Sequence, residues 1–383
     1  MGLSVCGNPG LVPWVGSPNS SRRAVRRRSM AVHFINASDL MGPDWRFLAQ
    51  VCDDPGLTWE TVSGQPRGVI ERRIRRPNLG RYRAAFEAAR GARRGVRPAV
   101  LVSHLPRMAA ATNIARRIIC PRVPHVAFAF NFTELPKGAS RELLARALRG
   151  VDEFVVFSRF ERALYADLFG IPESRIRFLP WAMDVPSPGS ESPLPPEILA
   201  QGYICAIGGE GRDYALLAEV MRSRPALRLI IVARPHSISA IDFPPNVITF
   251  TNLPSAQTWR IAVDSRGLVI PLKTEATACG HITMVGAQFL GLPLIVTRSR
   301  GVEDYVVGEE TAQTVPAGDD SALGIALDRI GAEPQAVARM AAAAQARAEA
   351  ENSLVVWGDY FRRVAERFGG SPDHAPATDG RRM

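Results

Sequence analysis

The residues best suited to chemistry lie between Pro271 and Asp304. There Thr277-Ala278-Cys279-Gly280-His281 forms a polar turn after the apolar run 267–272, and Ile282 and Thr283 open an apolar-periodic segment that ends at Leu290. A second apolar run, 293–296, follows Gly291 at once. Strand, tight turn, helix, glycine stop, strand: this order is a βαβ unit. A helix that starts where a strand ends presents unpaired N–H groups and the positive end of its dipole, which suits a phosphate. Gly280 lets that backbone come close to an anion. His281 and Thr283 offer an imidazole and a hydroxyl to a phosphate or sugar, although Thr283 equally suits an ordinary first helical turn. Nothing activates Cys279 as a nucleophile, so it packs or offers only its N–H.

Three further positions extend this picture. Gly208-Gly209-Glu210-Gly211-Arg212 lies between the apolar run 203–207 and a helical stretch. Its main-chain N–H groups suit a phosphate and Arg212 adds a bidentate donor, although glycine-rich turns also occur for purely structural reasons. Lys273, just past a strand end, can neutralise a leaving diphosphate or be an ordinary loop lysine. Glu275 is the one carboxylate directly ahead of the turn. Asp304 either faces the same ligand or caps a short helix. In the first half, His104 and Asn131 close two apolar strands, and Ser158-Arg159 follow a third. Asn131 can bond sugar hydroxyls but cannot act as a base.

Composition narrows the class. The chain has 383 residues, too many for one compact core and enough for two domains. Five scattered cysteines show no paired spacing, which argues for a reduced, cytoplasmic setting and against zinc. No apolar run is long enough to cross a bilayer. The net charge of +10 is uneven: residues 1–150 hold 25 basic and 9 acidic residues, a balance of +16, whereas the remainder balances to −6. That asymmetry suits an anionic partner for the first half, either a membrane surface or, less well without interleaved aromatics, a nucleic acid. Only Lys137 and Lys273 are lysines, so a genome-wide preference for arginine explains part of it. Metalloprotease, serine hydrolase and P-loop signatures are missing.

Alternating strand and helix patterns run through both halves. Strands are expected at 32–36, 58–62, 99–102, 125–130, 153–157 and 175–179, then at 203–207, 227–232, 247–251, 268–272 and 293–296. Helices fall between them. The Pro/Ser-rich segment 183–198 reads as a linker. The expected organisation is a basic disordered tail (1–29), a Rossmann-like domain (30–182), the linker, a second such domain (199–350), a last helix (351–368) and a disordered tail (369–383). Met30 is an alternative start. Two doubly wound α/β domains of this kind face each other across a cleft at the carboxyl ends of their strands.

The segment 271–304 resembles the donor-binding core of the retaining GT-B-fold glycosyltransferases of group 1, the family 4-like enzymes. Typical members read Glu-Gly-Phe-Gly, a helix, then Glu-Ala-Met-Ala-x-Gly-x-Pro-Val-Ile. Ala287, Gly291, Pro293, Leu294, Ile295, Gly301 and Asp304 match the second part. Both family glutamates are replaced, by Ala278 and Gly286. The small-Gly-polar-x-Thr turn of one branch is closer to Cys279 through Thr283. The resemblance implies a metal-independent transfer from a nucleotide-sugar to a glycan or lipid-linked acceptor in cell-surface polysaccharide or glycoconjugate synthesis. The nucleotide-sugar is then a substrate and no cofactor is needed. Arg212, Lys273 and Asn131 would serve catalysis, with Gly208, Gly209, Thr277, Cys279, Gly280, His281, Ile282, Thr283 and Asp304 on the donor and His104, Ser158 and Arg159 on the acceptor side. Asn131 stands where the family often carries a histidine. The last helix would cross back to the first domain, with Trp357, Tyr360 and Phe361 as its contacts. The alternatives are a protein of the same shape that binds nucleotide or glycan without turnover, and a nucleic-acid-binding protein.

Overall fold

The computed structural model describes residues 31–39, 48–52, 54–74, 78–95, 97–132, 134–276 and 278–369. The expectations for both terminal tails and for Thr277 fall outside these residues. The described residues form twelve strands: β1 (Val32–Ser38), β2 (Leu57–Ser63), β3 (Ala99–His104), β4 (His125–Phe128), β5 (Glu153–Val156) and β6 (Ile176–Phe178), then β7 (Ile204–Ile207), β8 (Leu229–Ala233), β9 (Val247–Thr251), β10 (Leu268–Ile270), β11 (Leu294–Thr297) and β12 (Gln313–Val315). They make two sheets of six, ordered β2-β1-β3-β4-β5-β6 and β12-β11-β10-β7-β8-β9, and every strand pairing is parallel. Strands such as β3 and β8 are buried along their whole length because helices cover both faces of each sheet. In each sheet the winding direction reverses once, between β1 and β3 and between β7 and β10. Ligands of such sheets bind outside the strand ends at those reversals.

On one face of the first sheet, Ile35, Leu101 and Phe154 pack under the helices Leu79–Arg94, Pro106–Ile119 and Arg159–Phe169. Phe34, Phe128 and Phe157 on the other face meet the helix Val355–Phe368, which comes from the far end of the chain. Its Trp357, Tyr360 and Phe361 are at most 1% exposed. The Trp357 ring meets Phe128 edge-on at 5.1 Å, and its Nε1 donates to the carbonyl of Pro180 at 2.9 Å. Burial of each such ring contributes roughly 1.5–3 kcal/mol. Gly358 permits the approach, since a Cβ there would sit 2.6 Å from the carbonyl oxygen of Val51. The crossing helix of the sequence reading is therefore present. The two chain crossings between domains run side by side: Met183 N–H donates to the carbonyl of Asn352, and the Asn352 amide donates to that of Trp181.

Two details differ from the sequence reading. The segment 183–198 is not a free linker: Leu194 and Ile198 are buried in the second core, and Gly189 N–H bonds the carbonyl of Ala256. Its prolines mark a chain laid along the domain, and Pro196 opens the helix Pro196–Gln201. The strand β12, Gln313–Val315, has two polar residues in three and so shows no apolar run. No helix among the described residues is long and apolar enough to cross a membrane.

Candidate functional site

The reversal between β7 and β10 gathers most of the residues singled out in the second half. Gly208 (φ +130°) and Gly211 (φ +66°) turn the chain sharply after β7, in conformations that favour glycine. The turn is fixed from outside, since Tyr214 Oη donates to the carbonyl of Gly208 at 2.5 Å and Ser237 Oγ to that of Gly209 at 2.6 Å. It is also joined to the chain beyond β10. Asp213 N–H donates to Pro271, Lys273 N–H donates to Gly211, and Arg212 pairs with Leu272 in an antiparallel bridge. Arg212 and Lys273 therefore sit on adjoining backbone, and Lys273 is exposed.

The Arg212 side chain lies under this junction, with the residue only 5% exposed. Its guanidinium donates to the carbonyls of Ile207 (3.4 Å) and Glu210 (3.2 Å) and points Nη1 at Cys279 Sγ, 3.7 Å away. A Cβ on Gly208 would fall 2.7 Å from Nη2, and one on Gly280 would fall 3.2 Å from Nη1. The cation thus fills a slot that two glycines leave open. Among the described residues no carboxylate pairs with it. The sequence reading made Arg212 an open bidentate fork, whereas the structure commits its donors to main-chain carbonyls. It acts as a buried positive charge behind the turn. Cys279 ties the same parts together by donating to the Glu210 carbonyl at 3.2 Å, and burial pushes its thiol pKa up.

Above that charge the helix His281–Phe289 begins. Gly280 is its N-cap at φ +106°, with no side-chain cap, and the first intrahelical bond runs from Met284 N–H to Gly280. The N–H groups of His281, Ile282 and Thr283 therefore have no acceptor within the helix. They form the positive end of a dipole directly over a guanidinium. The side chains of the first turn divide. The His281 ring is buried, donates from Nε2 to the carbonyl of Gly301 at 2.8 Å and packs on Tyr305. Burial lowers its pKa to about 4, so the ring is neutral. Thr283 Oγ1 reaches the carbonyl of Ile207 at 3.5 Å. Both side chains anchor the helix start, and their main-chain N–H groups stay without an acceptor in the helix. Ile282 is 54% exposed.

Asp304 does something else. Its carboxylate accepts from the backbone N–H of Arg159 at 2.7 Å and pairs with the Arg159 guanidinium. A residue of the second domain thus satisfies the start of a helix in the first, whose own N-cap is Ser158. Next to it, Tyr305 Oη donates to the carbonyl of Phe157 at 2.5 Å and accepts from Trp181 N–H at 2.8 Å. Arg300 lies over the Phe160 ring, and Arg347 donates to the carbonyl of Asp304. Asp304 and Arg159, expected on the two ligand sides of the cleft, meet each other across the domains, whereas Ser158 caps its own helix by accepting from Glu161 N–H. Tyr305, Arg300 and Arg347 were missed by sequence reasoning. A carboxylate next to a phenol in the loop after β11 was the one hint. Glu161, at the base of this contact, is fully buried among Ser158, Tyr165 and the Phe157 N–H, and burial raises its pKa to about 7.

In the first domain, His104 ends β3 fully buried, hydrogen-bonded to Asn36 on β1 and edge-on to Phe128. Burial holds its pKa well below the usual value. It belongs to the sheet interior. Asn131 is half-buried beyond β4. Leu105 (φ +69°) and Ala129 (φ +53°), directly after β3 and β4, adopt left-handed backbone that non-glycine residues rarely take. Gly286, where the resembling family has a glutamate, packs against Trp259: a Cβ would lie 2.3 Å from its ring.

Known proteins share this architecture. Residues 23–185 match the family model described as Glycosyltransferase Family 4. No curated protein matches the chain in sequence. Among solved structures, HepE of Anabaena in complex with UDP superposes with a TM-score of 0.65 at 13% identity, covering 88% of this chain and all of that one. Sucrose-phosphate synthase of Thermosynechococcus elongatus gives 0.66 at 14%, covering 88% and 99%. Trehalose 6-phosphate synthase of Burkholderia multivorans gives 0.62 at 13%, covering 88% and 99%. The chain is thus a two-domain protein of the GT-B fold whose first domain matches Glycosyltransferase Family 4.

Proposed function

We propose that the protein is a glycosyltransferase that moves a sugar from a nucleotide-sugar to an acceptor hydroxyl. One observation carries this reading: a buried guanidinium, with no carboxylate partner among the described residues, lies beneath a glycine-capped helix start, at the strand reversal where ligands of such sheets bind. The N–H groups of His281, Ile282 and Thr283 would bind the diphosphate, and Arg212 would hold the site positive. Lys273 on the adjoining loop would add a mobile charge. Such fixed groups stabilise the charge that develops on the leaving diphosphate. Gly208 and Gly209 keep the floor low. Neighbours of the same fold were solved with UDP and with UDP-glucose, which supports this donor class.

Asn131 and the strained ends of β3 and β4 would face the acceptor, and retention of configuration follows from the family resemblance. The positive first domain favours an acceptor that carries phosphate or lies at an anionic surface, such as a lipid-linked glycan in cell-surface synthesis. A second reading, binding without turnover, is favoured by Gly286: the Trp259 ring occupies the room that any side chain here, the family's glutamate included, would need.

A thermal-shift screen with UDP-, GDP- and ADP-sugars tests the proposal, because a ligand of the folded state raises its melting temperature. A shift with one base class, followed by release of that nucleoside diphosphate on turnover, supports transfer. A shift without release supports the second reading. No shift with any nucleotide sinks both.

A further inference from the structure

The segment that follows β2 has an inverted surface. Its charged side chains face one another: Glu71 accepts from Arg83 Nε at 2.8 Å and from Arg67 N–H at 2.8 Å, and Glu87 pairs with both Arg67 and Arg83. Arg83 lowers the pKa of Glu71, so the carboxylate stays ionised. The base is pinned as well. Gln65 donates to the Asp39 carbonyl, Arg81 and Asn78 bond the Asp39 carboxylate, and Gly80 lies so close that a Cβ would meet the Gly64 oxygen at 2.3 Å. The apolar residues point the other way. Val69 and Ile70 are 71% and 69% exposed, and Ile74 and Tyr82 are exposed beside them. Arg72 and Arg73, between the aliphatic residues, are exposed and make no ion pair among the described residues.

A loop that merely needed solubility would place these groups the opposite way round. Here internal ion pairs hold a small aliphatic tip outward, flanked by the exposed Arg72 and Arg73, at the outer edge strand of the more basic domain. Three aliphatic side chains are too few for the roughly 1,200 Å² of a stable protein interface. Nucleic acid would want a row of stacking aromatics, whereas the exposed apolar side chains here are Val69, Ile70 and Ile74 with a single tyrosine, Tyr82. Shallow insertion with flanking cations is what an anionic bilayer surface accepts. We infer that the tip formed by Val69, Ile70, Arg72, Arg73 and Ile74 docks the first domain onto an anionic lipid surface.

The test uses the full chain, without nucleotide, so its outcome does not depend on whether the protein transfers sugar. Sedimentation with vesicles of phosphatidylcholine containing phosphatidylglycerol is compared with phosphatidylcholine alone. Wild type should bind the anionic vesicles and not the neutral ones, and should release them in high salt. Val69→Asp with Ile70→Asp should weaken binding about tenfold or more. Arg72→Gln and Arg73→Gln should each weaken it about fivefold. Melting curves should be unchanged, because these side chains are exposed. Absence of binding, equal binding to neutral vesicles, or binding that both variant sets leave intact overturns the proposal. So does loss of self-association or of a protein contact, rather than of vesicle binding, in the aspartate variant.

Discussion

Replacing Arg212 by Gln removes the buried charge beneath the helix start while leaving an amide able to bond the carbonyls of Ile207 and Glu210. The cation does not reach out to a ligand; its donors are already engaged with main chain and with Cys279. Its effect on a diphosphate is therefore through space, across Gly280. A unit charge at about 5–6 Å and an effective dielectric near 20 is worth about 3 kcal/mol, an upper figure. A working range of about 1.5–3 kcal/mol corresponds to binding roughly ten- to 150-fold weaker. Stability should change by about 1 kcal/mol or less, because removing an unpaired buried charge offsets the lost bonds. Arg212→Lys keeps the charge and gives up the fork, and should retain most of the affinity. Calorimetric titration with UDP measures binding, and thermal denaturation measures stability. If Arg212→Gln binds UDP like wild type, or if Arg212→Lys is as weak as Arg212→Gln, the through-space argument fails.

Two other substitutions follow from the geometry. Asp304→Ala removes a cap and an ion pair between domains. The pair counts for little because Arg159 is largely exposed, so about 1 kcal/mol, mostly from the cap, should be lost. Scattering should show a wider distribution of domain separations, and Asp304→Asn, which still accepts the Arg159 N–H, should restore most of both; scattering and melting identical to wild type for Asp304→Ala would refute the domain-joining role. His281 gives a pH signature. Burial lowers its folded pKa from 6.5 to about 4, so its contribution to stability is complete above pH 6.5 and is lost as the pH falls from there to about 4. His281→Gln, which keeps a donor for Gly301, should make that acid limb shallower by on the order of 1 kcal/mol per pH unit. His104 and His125, also buried with lowered pKa, keep part of the limb in the variant. An unchanged limb would mean that the ring is already solvated.

Much of this architecture was legible in the residues, and the limits have physical causes. Apolar runs marked most of the strands, since buried parallel strands need continuous apolar sequence, and weaker or shorter runs marked β2 and β6. Gln313-Thr314-Val315 is too short and too polar to stand out. The last helix was legible because Trp357, Tyr360 and Phe361 share one face at helical spacing, and its crossing to the first domain was implied by the family resemblance. The turn after β7 and the helix start at His281 were legible as an anion site, because glycine and strand-to-helix order fix main-chain direction. What the side chains do there was not. His281, Thr283 and Arg212 all reach main-chain carbonyls set by the tertiary fold, and Asp304 meets Arg159 145 residues away. Residue type alone cannot tell a carboxylate that touches a ligand from one that caps a distant helix. The Pro/Ser run before β7 hid Leu194 and Ile198, two apolar residues that proline spacing made look incidental.

The returning helix also imposes an order on how the molecule is made. Phe34, Phe128 and Phe157 leave the ribosome before the second domain, whereas Trp357, Tyr360 and Phe361, which cover them, are translated after it. One side of the earlier sheet stays bare, aromatic and sticky while the whole of the later domain is synthesised. A chain cut anywhere before Trp357 is therefore not one good domain plus a missing one, but a half with an open flank. Expression of the early half alone calls for the final helix to be supplied with it, as a fused or separately added peptide.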